Sequence, residues 1–351
     1  MKKFLSMILA LVLVLSMATV AFADETTTTP DGKVEIENSD GTKTEYSDMK
    51  TVTLTKVYNE TNDGTTSPAE TFTFSALTCT GVVDAGVGVT AANAPVPTIA
   101  SVDYAAGEAG SDNKTKTITI TLPDYTGVGI YTYTFTEIDG ATAGVTYRSA
   151  TIKLVVTVLQ DEPTGKVRVA AVHTESTGAK TGSFDNEYSA GSLSISKEVT
   201  GILGDQTKDF TVKVTFTAPE GDTVREAITY VDGTETKTIA AGWTGTHEAV
   251  EITLKHGEVV TFTNIPYGVT YTVVENDYTA EADGGYDAAA YKFDDSAKTI
   301  DSASEGVLIT NNKDGDIDTG ITMDTVPYIV LLAVAFVGMI ALVAKKRARE
   351  F

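Results

Sequence analysis

The sequence predicts an all-β chain: two tandem β-sandwich domains of immunoglobulin-like size, with an apolar segment at each end. Three observations predict it. Threonine supplies 58 of the 351 residues, and Thr, Val, Tyr and Phe all favour extended backbone. Short stretches of alternating apolar and polar residues recur between clusters of Gly, Asp and Pro. No long amphipathic helical pattern interrupts them. The length suits two domains rather than one.

Residues 1–23 read as a secretory signal peptide. Lys2 and Lys3 precede an apolar run, and Ala21-Phe22-Ala23 offers a small-x-small cleavage site before Asp24. Residues 24–50 are polar and read as a leader. The first domain is expected over 51–190, with clear strands at 51–58, 70–76, 115–122, 129–137, 151–159 and 167–174. Residues 81–109 are rich in small side chains and fit no pattern. The second domain is expected over 191–314, its strands including 192–199, 208–217, 259–264, 270–276 and 306–311. A linker follows over 315–327. Residues 328–344 carry no charge and are just long enough for a transmembrane helix. The tail 345–351, with Lys345, Lys346, Arg347 and Arg349, would stay in the cytoplasm.

Composition excludes several functions. A net charge of −22 leaves no basic surface for nucleic acid. A single cysteine, Cys79, rules out a disulfide framework in a chain read as secreted. His173, His247 and His256 are too scattered for a metal centre, and Asp314, Asp316 and Asp318 lack the rest of a calcium loop. There is no phosphate-binding glycine loop and no Ser/His/Asp arrangement. The expectation is a protein without cofactor, metal or turnover chemistry. The rival reading of a secreted carbohydrate-active enzyme would need a pair of carboxylates in a cleft.

One polar pattern occurs twice. Alternate residues of a strand face the same way. Val52, Leu54 and Lys56 therefore share a face, as do Leu193, Ile195 and Lys197. Each half then carries Tyr-Thr-x-x-Glu, which groups Tyr133, Phe135 and Glu137, and Tyr271, Val273 and Glu275. Each half ends with an asparagine of matching parity: Phe184, Asn186 and Tyr188, then Val307, Ile309 and Asn311. Asn312 has the wrong parity relative to Ile309. The order Lys, Glu, Asn recurs with spacings of 81 and 49, then 78 and 36.

An inward lysine, glutamate and asparagine are costly to bury unpaired. A covalent bond removes the problem. Burial lowers a lysine's pKa and raises a glutamate's. The neutral amine is a nucleophile, and a protonated glutamate can polarise the asparagine carbonyl and move protons. With the first strand beside the last, lysine would meet asparagine, giving an amide and free ammonia.

On these residues the chain resembles Gram-positive backbone pilins built from isopeptide-linked immunoglobulin-like domains. The first half is similar to the streptococcal pilin isopeptide-linkage domain through Thr53-Leu54-Thr55-Lys56, Glu70-Thr71-Phe72-Thr73-Phe74 and Phe184-Asp185-Asn186. The second resembles the related C-terminal pilin domain and collagen-adhesin B-type modules through Ile195-Ser196-Lys197, Leu254-Lys255-His256-Gly257-Glu258 and Ile309-Thr310-Asn311. The resemblance implies two bonds, Lys56–Asn186 catalysed by Glu137 and Lys197–Asn311 catalysed by Glu275. Asp316-Ile317-Asp318-Thr319-Gly320, followed by the apolar segment and basic tail, resembles a cell-wall sorting signal, with Asp316 and Ile317 standing where Leu and Pro are usual. A sortase would cleave between Thr319 and Gly320. In such pilins the threonine passes to an exposed lysine of the next subunit. Lys180, in a loop-like run just before Asn186, is the expected acceptor, and Lys166 is its rival.

The implied protein is a structural pilus shaft subunit, secreted and then anchored to the cell wall. Its partners would be a pilin sortase, further copies of itself, peptidoglycan, minor pilins and a host surface. The alternative is a wall-anchored adhesin with the same modules that does not polymerise.

Overall fold

The structure, a computed structural model, describes residues 32–37, 43–160, 165–315 and 326–347. The expected signal peptide and the Thr319-Gly320 pair lie outside the described residues. The described chain is β-rich and gathers around two main apolar cores.

The first core is opened by strand Thr51–Glu60, where Val52, Leu54, Lys56 and Tyr58 point inward and alternate with half-buried Thr51, Thr53, Thr55 and Val57. It pairs antiparallel with Thr115–Thr121 and parallel with the closing strand Ser183–Tyr188. Across the core lie two sheets. One centres on Ile152–Gln160 between Gly129–Phe135 and Val167–Ser176. The other centres on Glu70–Phe74 between Glu137–Ile138 and Val102–Tyr104. Tyr58, Phe72 and Tyr104 fill the space with mutually edge-on rings, centroids 5.1 to 5.7 Å apart. That geometry suits aromatic quadrupoles better than face-to-face stacking.

The second core repeats the plan. Its opening strand Ala190–Thr200 lies antiparallel to Val259–Pro266 and parallel to the closing strand Ser304–Asn312. Phe210–Thr217 faces it, flanked by Val250–Leu254 and Thr270–Glu275. Parallel neighbours require a long crossover, so first and last strands can pair this way because the whole domain lies between them.

Only Ser189 separates the first closing strand from the second opening strand. Its N–H donates to Gly144 O (2.9 Å) and its carbonyl accepts from Tyr267 N–H (2.9 Å). Thr223 continues the joint, its carbonyl accepting from Ala143 N–H (3.0 Å) and its N–H donating to Ala141 O (2.9 Å). Ala143 is buried in the second core although its chain belongs to the first. Asn264 clamps Thr66, accepting from its N–H at 3.0 Å and donating to its carbonyl at 3.1 Å.

The polar leader contains a hairpin, Gly32–Glu37 against Lys43–Asp48. Alternation at Val34 and Ile36, opposed by Tyr46, is the local signal for it. Asp48 ties it to the domain by accepting from Val169 N–H at 2.8 Å. The unplaced stretch 81–109 forms short strand pieces and single turns, such as Ala91–Asn93. At the C-terminal end, Val326–Arg347 is a helix that contains the expected span 328–344. Among the described residues, no helix is long and apolar enough to cross a membrane.

Candidate functional site

Each core encloses one lysine, one glutamate and one asparagine. In the first, Lys56 faces Phe184 across the parallel ladder, so Asn186, two residues on, leans over the same side. In the second, Lys197 faces Ile309 and Asn311 stands two residues on. The offset is identical. Both lysines and both asparagines are almost fully buried. Glu137 and Glu275 reach them from the opposite sheets, with side chains closed to solvent.

At the first cluster Lys56 Nζ donates to Glu137 Oε1 at 2.5 Å and to Asn186 Oδ1. Asn186 Nδ2 donates to Glu137 Oε2 at 2.9 Å and to Thr146 O at 2.8 Å. Arg148 N–H donates to Glu137 Oε2 at 2.7 Å. The Phe72 ring lies under the amine, 3.9 Å from its centroid. Burial holds the Lys56 pKa below the ordinary lysine value, against the pull of Glu137.

At the second cluster Lys197 Nζ donates to Asn311 Oδ1 and lies 3.1 Å from Glu275 Oε1. Phe210 supplies the ring, 4.2 Å away. Burial again lowers the lysine pKa, opposed by Glu275. Neither carboxylate oxygen of Glu275 has a hydrogen-bond partner among the described residues. Its contact with Lys197 is a buried ion pair. Asn312 points elsewhere: its amide donates to Asp287 Oδ2 at 2.8 Å, and its Oδ1 accepts from Thr200 Oγ1 at 3.0 Å.

Each arrangement places a proton-deficient amine against an amide carbon, with a carboxyl group beside both and water excluded. That is the equipment for forming an amide bond between the two side chains. Sequence reasoning missed Phe72, Phe210, Thr146 and Arg148. The two phenylalanines alternate inward on their strands and were findable as core residues. The other two act through backbone atoms, which no sequence pattern marks.

Lys180 is exposed and sits on the short strand Ala179–Lys180, paired with Glu175–Ser176. Its rival Lys166 is also exposed. Among the described residues, no group of three His, Cys, Asp or Glu side chains is placed to hold a metal ion. Cys79 is half-buried in strand Thr78–Val83, where burial pushes its thiol pKa up.

Several known proteins resemble this chain. Residues 49–189 match a family described as the Spy0128-like isopeptide containing domain. Residues 191–313 match a domain family of unknown function, DUF7601. A curated pilin of Streptococcus pyogenes serotype M1 is 31% identical over 226 residues, a match that spans 58% of this chain and 64% of that protein. The crystal structure of the major pilin from Streptococcus pyogenes superposes with a TM-score of 0.51 at 26% identity, covering 76% of this chain and 99% of that one. The T3.2 major pilin of the same species shares the fold, with a TM-score of 0.51 at 21% identity over 76% of this chain and 98% of that one. An isopeptide-type domain over residues 49–189, a curated pilin relative of which this chain spans 64%, and a major-pilin fold are thus what the chain is similar to.

Proposed function

We propose that this chain is the backbone subunit of a covalent pilus, made of two immunoglobulin-like domains each closed by an internal isopeptide bond. The bonds are Lys56–Asn186 and Lys197–Asn311, promoted by Glu137 and Glu275. The observation that carries the reading is the duplicated register: in two cores of different sequence, an asparagine stands two places beyond the partner of a buried lysine. Packing alone gives no reason to repeat so costly an arrangement.

The chemistry needs no cofactor. Each glutamate takes a proton from the lysine ammonium. The neutral amine attacks the asparagine Cγ, and the protonated carboxyl polarises the carbonyl and then protonates the departing nitrogen. The Cγ–Nδ2 bond breaks and ammonia leaves; the carboxylate takes the second proton from Nζ, and the Nζ–Cγ amide remains beside a protonated glutamate. The protein is consumed once by its own reaction and is no enzyme.

Assembly would follow outside the cell. The signal peptide exports the chain, and the apolar segment 328–344 with the basic tail after it retains the chain at the membrane surface until it is sorted. A sortase cleaves between Thr319 and Gly320 and joins the threonine to Lys180 of another copy, or to peptidoglycan at the filament base. Minor pilins and a host surface would be further partners. The deciding experiment is the intact mass of the secreted chain, which should be short by two ammonias. An unmodified mass would remove the proposal.

A further inference from the structure

The two clusters are unequal, and the difference lies in the backbone around the glutamate. Glu137 bridges its partners: one oxygen accepts from Lys56 and the other from the Asn186 amide. The short segment at Val145–Thr146, paired with the closing strand, fixes that bridge. Thr146 O holds the same amide nitrogen, and Arg148 N–H holds the same carboxylate oxygen. At the other cluster Glu275 is paired with Lys197, 3.1 Å from its Oε1, and no direct hydrogen bond joins its carboxylate to Asn311 among the described residues. Its backbone N–H donates to Tyr291 OH at 2.8 Å, and no backbone N–H holds its second carboxylate oxygen as Arg148 N–H holds that of Glu137.

We infer that Thr146 O and Arg148 N–H are positioning groups peculiar to the first domain, and that they make its bond close faster than the bond in the second. The inference rests on the isopeptide reading above. The difference is one of positioning. Lys56 delivers a proton to Glu137 Oε1 while Oε2 holds the Asn186 amide beside the same carboxyl group. When Oε1 is protonated, Oε2 is the carbonyl oxygen of a neutral acid and still accepts from Arg148 and Asn186. The clamp therefore survives the proton transfer instead of opposing it. Lys56 Nζ then bonds to Asn186 Cγ, Oε1 passes its proton to Nδ2 as that nitrogen turns pyramidal, the Cγ–Nδ2 bond breaks and ammonia leaves, and Oε1 takes the second proton of Nζ, so that a neutral amide and a protonated Glu137 remain. Glu275 must first turn toward Asn311 before it can do the same.

The test uses the full chain, isolated unfolded and diluted into folding buffer, with samples quenched in acid. Protease protection times the folding of each domain, and peptide mapping locates each ammonia loss. Once both domains are protected, the Lys56–Asn186 crosslink should form roughly tenfold or more ahead of Lys197–Asn311, the worth of one charge-assisted hydrogen bond. Arg148→Pro, which deletes the N–H, should erase most of that lead, whereas Arg148→Ala should keep it. Closure of the second bond first, or of both at equal rates, would overturn the inference. Loss of no ammonia at either site would instead remove the isopeptide reading itself, and the inference with it.

Discussion

Lys56 Nζ and Glu137 Oε1 stand 2.5 Å apart on facing sheets, with no solvent reaching either side chain. A buried ion pair of this kind is poor stabiliser in its own right, since desolvation consumes most of the attraction. Its value lies in the bond it can make. In the proposed product the charge is gone, and an amide joins residues 130 positions apart.

Glu137→Ala and Glu275→Ala should therefore each retain one ammonia and lose stability. In the chain-entropy treatment of crosslinks, closing loops of 130 and 114 residues is worth about 5 kcal/mol each. Domain-resolved thermal unfolding, monitored beside the mass, should show each variant weakening its own domain. A variant with restored mass and unchanged melting would contradict the role given to the crosslink.

A pH dependence follows from the lowered Lys56 pKa, best seen where the bond cannot form. In Asn186→Ala the folded lysine loses its proton at a lower pH than the unfolded one, which titrates near 10.5. Between those values the unfolded state binds more protons, so stability rises with pH. The gain is complete above 10.5 and is lost as pH falls through the folded value. Urea midpoints of Asn186→Ala, minus those of Lys56→Met/Asn186→Ala, should climb across the alkaline range. A flat or falling difference would mean that the buried amine stays charged.

Polymerisation has a direct assay. Cells boiled in detergent should release a ladder of high-mass species containing this chain, and Lys180→Arg should collapse it to monomer with both ammonia losses intact. A single band from the unaltered chain would favour the non-polymerising adhesin. A ladder that persists in Lys180→Arg and vanishes in Lys166→Arg would move the acceptor.

The joint between domains rests heavily on Asn264. It is buried and holds a left-handed backbone (φ 62°), a conformation asparagine tolerates better than most residues. Asn264→Ala removes both bonds to Thr66 and strains the turn, for an expected loss of about 2–3 kcal/mol. Calorimetry should then resolve two unfolding transitions further apart than in the parent chain. Unchanged coupling would show that Thr223 and Ser189 suffice.

Much of this was legible because strands have a period of two. A lysine in step with Val52 and Leu54 must point where they point, and the same logic places Glu137 and Asn186 without any three-dimensional knowledge. The pairing of first with last strand added the neighbour. What stayed hidden was whatever depends on aim rather than on side-chain type. Every residue has an N–H and a carbonyl, so nothing in Arg148 or Thr146 announces that theirs meet at Glu137. Phe72 reads as core, yet its place beneath Lys56 comes from a strand in another sheet. The joint was equally silent, because Thr66, Asn264 and Thr223 are ordinary loop and strand residues until the two cores are set end to end.

Ser189 contributes only two rotatable backbone angles between the domains, and hydrogen bonds from both sides fix them. A joint so short cannot act as a swivel. Twist applied to one end of the subunit is delivered to the other rather than dissipated between them. A string of such subunits would behave as a torsion bar, whose compliance resides in the connections between copies and not within any one of them.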